Sequence, residues 1–207
     1  MAQRFIAWHF KHWSAILVKT LSSAITQGRD NRPIALVGFT GVGKSQTGRF
    51  LSSELKCSFI DTDSYIQNMT GRLVDDFFEK GKEDLFRRYE RGVAQQLIQL
   101  KNTVIALGGG AFIDDFTRKL FLARALVIHL YVPWDEYEKL LPELANSRPT
   151  LKYKSTQEVS ELYSNRMPFY AQAHIQLTVF PANLSKTVDL CLEALAVETE
   201  RPKEAFT

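Results

Sequence analysis

Ile34-Ala35-Leu36-Val37 is an unbroken apolar run between Pro33 and Gly38, which predicts a short strand buried on both faces. The period then changes, and Phe50, Leu51 and Leu55 predict an amphipathic helix starting near Lys44. Ser58-Phe59-Ile60 predicts a second strand ending in Asp61-Thr62-Asp63. The helix opened by Ser64, Tyr65 and Ile66 is broken by Gly71. A short helix over Leu73–Phe78 follows, then a longer one from Lys82 to Leu100 with Leu85, Phe86, Tyr89, Val93, Leu97 and Leu100 along one side. Thr103–Leu107 is continuous and apolar, as a central parallel strand should be. Beyond it the pattern predicts a helix over Asp114–Leu122, a strand over Leu126–Val132 and a helix over Trp134–Leu141. A helix over Gln157–Ala173, interrupted at Arg166-Met167-Pro168, a strand over Ile175–Val179 and a helix over Leu184–Val197 complete the pattern. Strand alternating with helix predicts an α/β domain, a parallel sheet covered on both faces.

Three stretches stand apart from this alternation. Residues 1–32 form an arm and linker before a domain spanning 33–198, and 199–207 form a polar tail. In the arm, Ile6, Phe10, Trp13, Leu17 and Leu21 recur three and four apart, one stripe of a helix; Met1 to Gly28 hold Arg4, Lys11 and Lys19 but no acid. A helix docked on the domain or on a second subunit is the preferred reading. An organelle-targeting peptide and a membrane-surface helix, the latter suggested by Trp8 and Trp13 beside basic residues, are the alternatives. Finally, Asn146 to Ser155 lacks periodicity and carries Arg148, Lys152 and Lys154. Within about 144–155 it reads as a basic lid that closes over a transferred phosphate.

A chain of 207 residues suits one α/β domain, and a net charge of +3 is no argument for nucleic acid. Cys57 and Cys191 form neither a disulfide framework nor a zinc motif, and no apolar run reaches membrane-span length. The expectation is a soluble, cytoplasmic monomer, a dimer through the arm being the alternative.

Gly38 to Ser45 (Gly-Phe-Thr-Gly-Val-Gly-Lys-Ser) fits the phosphate-binding loop G-x-x-x-x-G-K-[ST] between a strand and a helix. A polyphosphate needs several inward-facing amides, so side chains must be absent where the backbone approaches it. Gly41, Val42, Gly43, Lys44, Ser45 and Gln46 are therefore the candidate nucleotide contacts, with Lys44 on the β- and γ-phosphates and Ser45 on Mg²⁺. Asp61 and Asp63 end a strand, where α/β sheets bind ligands. One would hold Mg²⁺ through its water shell and the other accept a proton from a substrate hydroxyl; helix capping by Asp63 is the plain alternative. Gly108, Gly109 and Gly110 end the third strand and place bare backbone at the same crevice. Arg87 and Glu90 are spaced as an ordinary helical ion pair, and His129, inside a strand, reads as a satisfied core histidine.

Taken in order, these motifs resemble the shikimate kinase family. They are Gly38 to Ser45, Thr47-Gly48-Arg49, Phe59-Ile60-Asp61-Thr62-Asp63, Phe86-Arg87-Arg88-Tyr89-Glu90, Leu107 to Ala111, Arg148-Pro149-Thr150-Leu151 and Arg166-Met167-Pro168-Phe169-Tyr170. The resemblance implies a five-stranded parallel sheet of order 2-3-1-4-5, of the nucleoside-monophosphate-kinase type, and transfer of the ATP γ-phosphate to the 3-hydroxyl of shikimate. By the same resemblance Asp63, Arg87, Arg166 and the amides of Gly108 to Gly110 bind shikimate, with Asp63 as base. Glu90 orients the arginines, Arg148 closes over the γ-phosphate, and Asp61 sits in the outer shell of Mg²⁺. Three positions depart from the family pattern: Gln46 replaces a threonine, Gly81 comes one position early, and Leu141, Pro142 and Glu143 stand where an arginine normally packs on adenine. Pro181 remains to cover one adenine face. A gluconate-kinase-like enzyme of the same fold and a non-catalytic nucleotide-binding regulatory module are the alternatives.

Overall fold

The computed structural model describes residues 31–144, 151, 154–180 and 183–199. The arm, Arg148, Pro181 and most of the expected lid lie outside the described residues. Five strands, β1 (Ile34–Val37), β2 (Ser58–Asp61), β3 (Thr103–Ala106), β4 (Leu126–Tyr131) and β5 (Ile175–Thr178), form one sheet of order β2-β3-β1-β4-β5. Every neighbouring pair is parallel; Ile34 stands in register with Val104 on one side and Leu126 on the other. Because β1, β3 and β4 are covered on both faces, they read as continuous apolar runs, and all four residues of β1 are buried.

The helices are α1 (Lys44–Glu54), α2 (Thr62–Thr70), α3 (Val74–Glu79), α4 (Glu83–Leu97), α5 (Asp115–Arg124), α6 (Trp134–Glu138), α7 (Leu141–Leu144), α8 (Thr156–Tyr170) and α9 (Leu184–Thr199). Parallel crossovers are right-handed, so the step from β1 out to β2 puts α1 on one face, and the opposite step from β3 to β4 puts α5 on the other. Accordingly α9 packs on α1 and β5, while α4 packs on α2 and α5. The core between these layers includes Leu51, Ile66, Phe77, Phe112, Phe121 and Tyr137, each no more than 1% exposed.

Three expectations are corrected. The helix carrying Arg166-Met167-Pro168 is uninterrupted: Pro168 lies in the last turn of α8, where its missing N–H removes a single intrahelical bond. The helix after Pro133 is two short ones, α6 and α7. His129 is buried but only half satisfied. Its Nδ1 lies 3.2 Å from Gln176 Oε1, while Nε2 has no hydrogen-bond partner among the described residues. Burial pushes this imidazole down to about 4.

Candidate active site

At the carboxyl end of β1 the chain passes through Gly38 (φ 145°), Gly41 (φ 79°) and Gly43 (φ 90°) before α1 begins at Lys44. Gly38 is required for two reasons. Its φ is one that side chains rarely adopt, and a Cβ there would lie 2.6 Å from the carbonyl oxygen of Leu130 in β4. Lys44 Nζ donates to the carbonyls of Gly38 and Phe39, 2.8 Å each, so its ammonium is curled over the loop's own backbone. Tyr137 braces the loop from α6, its hydroxyl donating to the Thr40 carbonyl at 2.9 Å. The aliphatic Leu144 sits on Gly41, where a Cβ would come within 2.6 Å of its Cδ1.

Ser45 Oγ donates to Asp61 Oδ2 at 2.5 Å, joining the first turn of α1 to the end of β2. The other oxygen, Oδ1, accepts from Ser64 N at 3.0 Å, so Asp61 and not Asp63 caps α2. This corrects the plain reading of Asp63: the capping role is already filled, and Asp63 is turned elsewhere. A hydroxyl and a carboxylate in contact beside the phosphate loop are hard oxygen donors of the kind Mg²⁺ takes, directly or through water, so these residues fit that ion.

The second half of the site gathers around the glycines after β3. A Cβ on Gly108 would stand 2.4 Å from Asp63 Oδ1 and 3.0 Å from Glu90 Oε1, so only a glycine lets both carboxylates converge there. One on Gly110 would stand 2.3 Å from Arg87 Nη1. Gly108 N donates to Thr62 Oγ1 at 2.8 Å, which holds the turn against α2. Arg87 Nη1 donates to Glu90 Oε2 at 2.6 Å and its Nη2 to Glu83 at 2.8 Å, with the guanidinium over the rings of Phe78 and Phe86. From α8, Arg166 reaches towards the Gly109 carbonyl at 3.5 Å and lies over Phe39, while the Tyr170 hydroxyl donates to the same carbonyl.

Glu90 is the electrostatic centre of this half. It is 5% exposed, and its Oε1 accepts no hydrogen bond among the described residues. Burial pushes its carboxyl up, to about 7, and nearby Asp63 pushes the same way; contact with Arg87 and the charge of Arg166 pull it back. The guanidinium of Arg87 is held above its usual range by the same pairing, against the cost of its own burial. A half-buried guanidinium fixed in place by carboxylates presents its remaining N–H groups to an incoming anion, and Arg166 offers a second planar donor on the facing element.

A protein-family model described as Shikimate kinase matches residues 40–196, three quarters of the chain. The chain belongs to the shikimate kinase family. The shikimate kinase of Oceanobacillus iheyensis is 31% identical over 162 residues, covering 78% of this chain and 88% of that one. That of Zymomonas mobilis is 34% identical over 164 residues, 79% of this chain and 93% of its own. The solved shikimate kinase of Acinetobacter baumannii in complex with shikimate superposes with a TM-score of 0.78 at 29% identity, covering 87% of this chain and 99% of that one. A gluconokinase from Sinorhizobium meliloti, 16% identical with a TM-score of 0.54, shares the fold alone. The chain is thus a phosphate-loop kinase by class.

The expected site residues fall into two groups. Gly41, Val42, Gly43, Lys44, Ser45 and Gln46 form the loop and the start of α1. Asp61, Asp63, Arg87, Gly108, Gly109, Gly110 and Arg166 meet at the carboxyl ends of β2 and β3. Arg148 and Pro181 lie outside the described residues. Tyr137 was not anticipated, and Thr62 and Tyr170 stood in the quoted motifs without a role. Tyr170 left one signal, its place four residues after Arg166 and so on the same side of α8, and Thr62 another, its place between the two carboxylates; Tyr137 had none short of the tertiary fold.

Proposed function

We propose that this kinase transfers the γ-phosphoryl group of ATP to the 3-hydroxyl of shikimate. The observation that carries the proposal is the meeting of Asp63, the Glu90-anchored Arg87 and Arg166 around Gly108–Gly110, beside the phosphate loop. A small acceptor bearing both a carboxylate and hydroxyl groups answers that set of groups: two planar cations for the acid, one carboxylate for a hydroxyl proton.

In the reaction the acceptor oxygen forms a bond to the γ-phosphorus, the bond from that phosphorus to the β,γ-bridging oxygen breaks, and the hydroxyl proton passes to Asp63. Arg87 and Arg166 fix the carboxylate, and with it the distance from hydroxyl to phosphorus. Lys44 leaves the carbonyls of Gly38 and Phe39 for the phosphate oxygens, exchanging neutral acceptors for charged ones. Ser45 and Asp61 would hold Mg²⁺, which neutralises phosphate charge when bound. Arg148 would contribute a further cation, and Pro181 would cover one face of the adenine; both lie outside the described residues. ADP release with Mg-ATP should require shikimate. Equal release with gluconate, or none with either, overturns the proposal.

A further inference from the structure

The basic arm is the one sequence feature that neither fold nor site absorbs. We propose that Ile6–Leu21 of the arm dock as a helix along the outward side of α9, in the same polypeptide, as a third helix on the face covered by α1 and α9. Four observations converge on this surface.

The first is where the arm joins the domain. The Asn31 carbonyl accepts from Asn102 N at 3.1 Å and the Pro33 carbonyl from Leu126 N at 2.9 Å, which fixes the junction at the amino ends of β3 and β4. Arg32 and Glu198 both act electrostatically on His174, so the junction lies close to the last turn of α9. The second is apolar surface. The buried side of α9 is Thr187, Val188, Cys191, Leu192 and Leu195, and helical spacing sets Leu190, Ala194 and Val197 on its other side, Val197 being 50% exposed. Phe50, on the helix α1 that packs against α9, is 57% exposed.

The third is length. From Ile6 to Leu21 a helical stripe covers about 22 Å, and the 16 residues of α9 cover about 24 Å. The nine residues from Ser22 to Asp30 reach at most about 30 Å, enough to seat Leu21 near Val197 with the arm running parallel to α9. The fourth is charge. Residues 1–28 hold Arg4, Lys11 and Lys19 and no acid, whereas the outward side of α9 carries Asp189 and Glu193 one turn apart. The complementarity is one of sign between the two segments, since helical spacing sets Arg4, Lys11 and Lys19 off the apolar stripe, where their long side chains reach round towards these carboxylates.

The test uses the full chain with Trp8→Phe and Trp134→Phe, which leaves Trp13, on the arm's apolar stripe, as its only tryptophan. Docking predicts blue-shifted emission and weak acrylamide quenching, both independent of protein concentration. The Leu190→Glu/Val197→Glu pair should shift emission to the red and at least double the quenching constant. The pair Asp189→Lys/Glu193→Lys, outside the buried side of α9, should do the same in part while far-ultraviolet circular dichroism keeps its folded form. The proposal fails if Trp13 of this parent emits as exposed, or if both paired variants leave its protection unchanged. It fails equally if protection rises with protein concentration, which would point to a second copy, or appears only on adding anionic vesicles, which would point to a membrane. Turnover is not the readout, so this test and the shikimate assay fail independently.

Discussion

The two halves of the site are built by opposite means. On the phosphate side, nearly every group comes from one stretch, Gly38 to Gln46, and the working surface is backbone: glycines with positive φ, and Lys44 resting on carbonyls two strides away. On the acceptor side, the groups come from the end of β2, from α4, from the turn after β3 and from α8, and the working surface is side chain. Its charges are locked by one another, Arg87 by Glu90 and Glu83, with Glu90 in turn facing Asp63 and Arg166. The lesson concerns robustness. A backbone cradle tolerates changes among its neighbours because its donors are present in every residue, whereas a side-chain cluster loses its geometry when any one member is shortened.

Three substitutions sharpen that contrast. The largest effect is expected on the acceptor side: Asp63→Asn should lower kcat by about 10³-fold, the scale of a general base, while ATP binding measured by calorimetry is kept. A variant that keeps a tenth of parental kcat would remove Asp63 from that role. Next, Glu90→Gln releases Arg87 without emptying the space. The KM for the acid acceptor should rise on the order of tenfold, the value of one charge-assisted bond, with kcat less affected.

The same variant has a pH signature. Because the folded-state carboxyl of Glu90 lies above its ordinary value, the native protein holds a proton that the unfolded chain has released. Its contribution to stability is full below the ordinary value of 4.5 and is lost as pH rises through about 7. Unfolding midpoints measured across that window should fall with pH in the parent and fall less in Glu90→Gln. A slope unchanged by the substitution would mean that Glu90 is ionised throughout.

The smallest effect belongs to the nucleotide side. Leu141→Arg puts a guanidinium back where the family packs one on adenine, and one such contact at about 0.5–1 kcal/mol should lower the KM for ATP by roughly two- to fivefold. An unchanged KM would mean that the base is held elsewhere, for instance against Pro181.

How far the site was legible follows the same division. The phosphate loop was read outright, because its requirement is local: a strand, glycines at set spacing, then Lys44-Ser45. Of the acceptor residues, Asp63 and Gly108 to Gly110 were read from their places at strand ends, whereas the roles of Arg87, Glu90 and Arg166 were reached only by family resemblance. Arg87 and Glu90 at i, i+3 look like any surface pair, and nothing local distinguishes a solvated Glu90 from one that is 5% exposed. Asp61 and Asp63 were both selected, but their division of labour was not visible: which one caps α2 depends on where the backbone turns. Pro168 misled for a related reason, since its cost depends on its distance from the helix end.

By itself, then, the amino-acid order determined the alternation of strands and helices, the sheet's parallel sense and the phosphate loop, all properties of residues near one another along the chain. Only the tertiary structure decided that Thr62 would hold the Gly108 turn, that Tyr137 and Tyr170 would brace both halves, and that Glu90 would be buried among Arg87, Asp63 and Arg166. Those are matters of which distant groups share a low-dielectric space, and a charge acquires its strength, its proton affinity and its partners from that space rather than from its neighbours in sequence.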